Sequence, residues 1–341
     1  MAVIRLGPST YQFENIRILA AAAVGGPKEG QGPLGAYFDS IWSSELKDHA
    51  SFEVAERHLL LEAQDLAVKK AELPWESIDM VMGGDLLDQL ASTNFAGREH
   101  QRPLLGLFAA CAVFTEALGL GAMAIAGGGP RNVLAAAASH HMAAERQFRF
   151  PIELGYQRAP TAAWTATAAG ACLVSGSDAV TGEGGVSVES VTFGRVVDWG
   201  SKDPNDMGTA MAPAAYDTIC RHFEDTGRSI EDYDQIYTGD LGVFGVRLLS
   251  ALAQKDGKHW DERLDDCGRA LYAIDKQDVH NGGSGAGCSA SVFSGFIYNH
   301  LLKKDLQRVL LVATGALFSP TTYQQGESIP SIAHAVSVRR L

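Results

Sequence analysis

No two cysteines in this chain are spaced as Cys-x-x-Cys, and their number is odd: Cys111, Cys172, Cys220, Cys267 and Cys288. That pattern argues against a disulfide framework and against a structural zinc, and it fits a reducing compartment. Basic charge is scarce too, with 28 Lys and Arg against 40 Asp and Glu and a formal net charge of -12. Nucleic acid is therefore not expected as the main ligand, although a local cluster of donors can still hold a small anion. The opening stretch MAVIRLGPSTYQFENIRILA lacks an apolar signal core and a cleavage site, so no targeting segment is expected there. VGGPKEGQGPLG (24–35) has no GxxxxG before Lys28, which excludes a Walker-type phosphate loop and leaves an ordered surface loop, placed to cover a pocket. Charge is also nearly missing from LLGLFAACAVFTEALGLGAMAIAGGG (104–129), whose one ionisable acid is Glu116. Its high Gly content and the absence of a flanking basic cluster favour a central helix packed on all sides over a membrane span.

What the chain has in quantity is apolar surface, at 46% of residues, and glycine, at 37 of 341. Together they describe a well-buried globular protein with many tight turns. It also has an internal repeat. IDMVMGGDLLDQ from Ile78 and YDQIYTGDLGVFG from Tyr233 are both short apolar strands ending in a Gly-Asp-Leu turn, which pairs Asp85 with Asp240. Further on, the segments beginning at Cys111 and Cys288 each open a helix that leads through a turn into a buried strand. The expected architecture is α/β: two duplicated halves, 1–185 and 186–341, each running strand–helix–strand–helix–strand, stacked as an α-β-α-β-α sandwich with paired central helices.

Such a duplication, with a Cys at the start of the first central helix, resembles the thiolase and ketoacyl-synthase fold, in which that Cys is acylated and a His from the second half activates it. The resemblance narrows on AAAVGGPKEGQGPLGAYFD, GGDLLDQ, ASHHMAAERQFRFPIELG, DMGTAMAPAAYDTI, NGGSGAGCSA and SPTTYQQGESIPSIAHAV. In this order, from about residue 22 to residue 336, they resemble the stage V sporulation protein AD family. That resemblance implies a thiolase-like fold with no cofactor and no known condensing activity. It implies binding of dipicolinate (pyridine-2,6-dicarboxylate), with calcium able to arrive on the ligand, for loading into the developing endospore. It further implies a mother-cell location at the forespore membrane beside membrane proteins of the same operon; the fold analogy adds homodimerisation through a sheet edge beside the Cys.

The residues are consistent with lost catalysis. Where condensing enzymes place the second-half His, this chain reads TGDLG, and Asp240 would raise a nearby thiol's pKa by charge repulsion. His280 and Asn281 precede the Gly-rich loop and reach the pocket only if it turns unusually. The family pattern has small hydroxyls after the Cys, whereas this chain has Ala112, Val113 and Phe114, which makes that wall drier. A flat dianion needs donors for two carboxylates. The expected ligand set is Cys111 at a helix N-terminus, His140 after the strand NVLAAAAS, Asp240, Gly283 and Ser284, with the Gly283 and Gly285 N–H groups forming a nest. Each has a plainer alternative: close packing for the glycines, a satisfied structural role for His140 and His141, helix caps for Asp85 and Asp240. His141 and Glu145 have i,i+4 spacing, too little for a metal site, and none is expected. Arg98, Arg102, Arg146 and Arg149 suit salt bridges better than anion recognition, and Cys288 suits a small buried apolar position. The alternatives to a receptor are a Cys111-dependent acyltransferase and a scaffold that never meets ligand.

Overall fold

The computed structural model describes residues 3–148, 157–176 and 185–341. Two sets of five strands form its framework. Across the first set the order is Arg17–Gly25, Ala168–Ser175, Asn132–Ser139, Met80–Gly84, Leu104–Gly106; across the second it is Val186–Phe193, Ser331–Arg340, Arg308–Ala316, Gln235–Thr238, Leu264–Asp266. In chain order both read first, fifth, fourth, second, third. The directions repeat as well: two antiparallel pairings and then two parallel ones. This is the duplication seen in the Gly-Asp-Leu turns, carried through all five strands of each set. The sets meet where Val186 and Ser187 pair antiparallel with Ile18 and Arg17.

Both sheets are buried on both faces, so their strands read as continuous apolar runs. Along Asn132–Ser139, Val133, Ala135 and Ala137 face the central core, while Leu134, Ala136 and Ala138 face the outer helix Phe52–Lys70. Along Arg308–Ala316, Val309 and Leu311 face the centre, and Leu310 and Val312 face the helices Met207–Thr226 and Gly242–Lys255. The central layer holds Val113–Ala126, which touches strands of both sets, and Ala286–Ser291, which continues as Val292–Ile297 and Tyr298–Leu302. Small residues let these backbones approach: a Cβ on Gly287 would lie 2.0 Å from the Ala168 carbonyl oxygen. The layers are therefore helix, sheet, helix, sheet, helix.

The run 104–129 is not one helix. Leu104–Gly106 is the edge strand of the first sheet, paired with Met80–Gly84, and the helix begins only at Val113. Parallel pairing captured the apolar segment before the helix could include it. Among the described residues no helix is long and apolar enough to cross a membrane. The 24–35 loop does not cover a pocket: it folds into the short helix Pro27–Gly30, and its Glu29 is fully buried.

Candidate functional site

Cys111 lies in the one-turn helix Ala110–Ala112, immediately before Val113–Ala126. Ala110 takes φ 50°, the left-handed region, which turns the thiol out of the helix axis toward a cavity. Opposite it, the two-residue strand Gly283–Ser284 pairs with Trp164–Thr165, setting the Ser284 hydroxyl 3.9 Å from the Cys111 sulfur. Behind Ser284 is Asp240, on the turn after Gln235–Thr238. Its carboxylate accepts from Ser284 Oγ at 2.7 Å, Thr314 Oγ1 at 2.8 Å and the Gly285 N–H at 3.3 Å.

The electrostatics oppose a thiolate. Burial first, then the charge and hydrogen bonding of Asp240, push the Cys111 thiol well above its ordinary range. Asp240 is itself buried, and desolvation raises its carboxyl despite its three donors. With its proton given to Asp240, Ser284 turns lone pairs toward the cavity. The Gly285 N–H is spent on the same carboxylate, so the nest expected for a ligand carboxylate is occupied from within. Gly283 packs against Tyr272 and the Cys288 sulfur.

The cavity holds about 760 Å³. Cys111, Ser284 and Thr165 lie on its floor side, and Phe108, Phe148, Met207, Met211 and Phe318 make much of the wall. Asp88 and Glu145 are its ionisable side chains besides Cys111 and Tyr323; among the described lining residues there is no Lys, Arg or His. The segment 316–324, which runs from the end of Arg308–Ala316 into the quoted SPTTYQQ text, supplies one whole side. Nothing in that motif's residue types points to a site when it is read as sequence alone. Thr314 was missed altogether, since one Thr within an apolar strand carries no signal of its own.

His140 sits elsewhere. Buried, it is bonded through Nε2 to the Glu45 carbonyl at 2.9 Å and accepts from the Met142 N–H at Nδ1, and desolvation lowers its pKa. His141 stacks face to face on Trp164 with ring centres 3.5 Å apart. His280 is bonded to the Ala159 carbonyl, and Asn281 to the Phe244 N–H and the Leu241 carbonyl, so neither is a partner of Cys111. Asp85 caps as expected, accepting from the Leu87 and Thr93 N–H groups. Asp240 does not: Asp266 takes the Leu241 and Gly242 N–H groups in its place, freeing Asp240 for Ser284. Arg98 and Arg146 form ion pairs with Glu99 and Glu53, and Arg102 bonds to the His100 and Glu76 carbonyls. Arg149 lies outside the described residues. Cys288 is fully buried.

Gly285 holds this arrangement together. It adopts φ +103°, and a Cβ there would lie 2.6 Å from Ser139 Oγ. Gly285→Ala is expected to cost about 2 kcal/mol or more in urea unfolding. It should also detach Ser284 from Asp240, seen as a changed rate of Cys111 alkylation.

The fold is shared with condensing enzymes. 3-Oxoacyl-[acyl-carrier-protein] synthase III from Aquifex aeolicus superposes with a TM-score of 0.58 at 12% identity, covering 95% of this chain and 99% of that one. A variant of OleA from Xanthomonas campestris gives 0.63 at 14%, covering 96% and 99%. At such identity these matches establish the thiolase-like fold alone. Sequence relatives are more specific. Stage V sporulation protein AD of Bacillus subtilis (strain 168) is 42% identical over 335 residues, 98% of this chain and 97% of that protein. The family model for stage V sporulation protein AD matches residues 7–339. The chain belongs to the stage V sporulation protein AD family.

Proposed function

We propose that this chain is a receptor for dipicolinate during endospore formation, working without acyl transfer. The observation that carries the non-catalytic part is the Cys111–Ser284–Asp240 chain, in which a buried carboxylate stands where activation of a thiol requires an imidazole. Family membership supports the sporulation role. The cavity supports a flat ligand: it has apolar walls, ample room and a polar floor.

Its charge selects the form of that ligand. Asp88, Glu145 and the lone pairs of Ser284 repel a free dianion but accommodate the neutral calcium chelate. Dipicolinate chelates calcium by itself, so the ion would travel on the ligand as cargo. Calorimetric titration is expected to give saturable binding of calcium dipicolinate at sub-millimolar concentration, weakened in Ser284→Ala. No saturable heat with either form would remove the receptor reading. Incubation with acyl-CoA thioesters is expected to leave the intact mass unchanged; a stable adduct absent from Cys111→Ala would establish the acyltransferase instead.

The receptor would sit at the mother-cell face of the forespore membrane, beside integral membrane proteins of the same operon, and would act as a homodimer. The edge strand Leu104–Gly106 has a neighbour on one side only among the described strands, and Leu105 and Phe108 beside it are 47% and 57% exposed. A second copy pairing there would cover them. Sedimentation is expected to show a dimer at micromolar concentration and a monomer for Leu105→Lys; a monomeric parent chain would refute the pairing.

A further inference from the structure

Three segments distant in sequence bring Lys28, Arg158 and His280 around one residue, Asp278. Arg158 Nη2 lies 2.7 Å from Asp278 Oδ2, and the same nitrogen donates to the Asp278 carbonyl at 3.1 Å. His280 Nε2 lies 3.0 Å from Oδ1, and Lys28 Nζ donates to the carbonyl at 3.2 Å. Trp164 forms the base: Lys28 Nζ is 3.6 Å and the Arg158 guanidinium carbon 4.8 Å from its ring centre. The parallel stack of His141 closes the opposite face, because two groups so near the ring centre cannot share one face.

Two features mark this cluster as a receptor and not a completed structural bridge. The Asp278 side chain is 71% exposed while that of Arg158 is 14% exposed, so the cations are set into the surface and the anion above them is open to solvent. Arg158 Nη1 is buried and has no hydrogen-bond partner, and Lys28 spends one ammonium proton on a carbonyl, leaving donors unspent. In a chain of net charge -12, such a concentration of donors would draw a small anion to one spot. Thr165, the residue after Trp164, lines the cavity, so the cluster lies directly behind the cavity wall on the other face of the same two-residue strand.

We infer that Lys28, Arg158 and His280 form a second, external site for a small carboxylate anion, here the free, metal-free dianion of dipicolinate, with Asp278 as the built-in competitor that an arriving carboxylate displaces. This rests on the reading that the protein meets dipicolinate. The two sites have opposite electrostatics: the cleft is acidic and suits the neutral chelate, whereas the cradle is cationic and suits the dianion. The carboxylate of the ligand would take the fork of Arg158, including the free Nη1, and the ammonium of Lys28.

Titration of metal-free dipicolinate, with a calcium chelator present, tests this. Asp278→Asn removes the competitor and is expected to tighten binding of the free dianion about ten-fold. Arg158→Met together with Lys28→Met is expected to abolish it, while binding of calcium dipicolinate stays as in the parent chain. Thermal melts of each variant report folding independently. Free-dianion binding that ignores both changes, or is absent while the calcium form binds, overturns the external site alone. Absence of binding for both forms in every chain overturns the receptor reading itself.

Discussion

In Asp240→Asn, Cys111 is expected to alkylate at lower pH than in the parent chain. Three causes hold the thiol protonated: burial, the Asp240 charge, and the hydrogen bonding that favours the protonated sulfur. The substitution removes the charge and leaves burial in place. The midpoint of the iodoacetamide rate against pH should therefore fall by about one unit, without reaching the range of an activated nucleophile. The amide oxygen can keep Ser284 Oγ and the Gly285 N–H, which share Oδ2, but its NH2 then meets Thr314 Oγ1, which must turn from donor to acceptor, so stability should drop by about 1–3 kcal/mol. The remaining four cysteines do not confuse the readout in peptide mapping, because Cys172, Cys267 and Cys288 are fully buried and the partly exposed Cys220, on Met207–Thr226, falls in a different peptide. An unchanged midpoint would mean that desolvation alone disables the thiol and that Asp240 is only a scaffold for Ser284. The case against acyl transfer would then rest on the lack of an imidazole in the cavity.

The duplicated architecture was legible because its strongest markers are local. A Gly-Asp-Leu turn after an apolar strand recurs in both halves, and a Cys at the head of an apolar helix recurs after it. Residue-level placement was harder, for physical reasons. Leu104–Gly106 is a three-residue edge strand, too short to show a two-residue alternation, so its apolar residues merged with the helix that follows. Asp240 and Asp266 are both acidic residues near strand ends of one sheet, and the sequence alone does not say which takes the helix cap and which takes the hydroxyls. His140 follows a strand at the end where ligands usually bind, yet its imidazole turns to the Glu45 carbonyl, a partner 95 residues earlier. Nor could composition show that the donors around Gly285 are already consumed by the protein. A carboxylate nest there is chemically reasonable for the loop taken alone; the Asp240 carboxylate, arriving from another strand end, fills it from within.

Buried carboxyls give the second large effect, and Glu29 isolates it. Glu29 is fully buried; it accepts from the Thr167 N–H at 3.0 Å and is hydrogen-bonded to the Tyr272 hydroxyl, while Oε2 has no partner. Desolvation raises its pKa from 4.5 to about 7. A raised carboxyl is held protonated by the fold, so its stabilising contribution is complete below pH 4.5, declines through the interval up to 7, and is lost above it. The shift corresponds to about 3 kcal/mol. Asp266, raised to about 7, acts in the same direction, whereas His222 and His334, lowered by burial to about 3 and about 4, lose stability as the pH falls below 6.5 and oppose it. The parent chain's own profile mixes these slopes, so the informative quantity is the difference between it and Glu29→Gln. Gln keeps an oxygen for Tyr272 and Thr167 and cannot ionise. Relative to the parent, the variant is expected to gain about 3 kcal/mol between pH 4.5 and pH 8 in urea unfolding, rising through that interval and levelling off above about pH 7. A difference that stays constant across that range would show Glu29 to be ionised in the fold throughout it. The Tyr272 hydroxyl would then be donating to a full negative charge in the core.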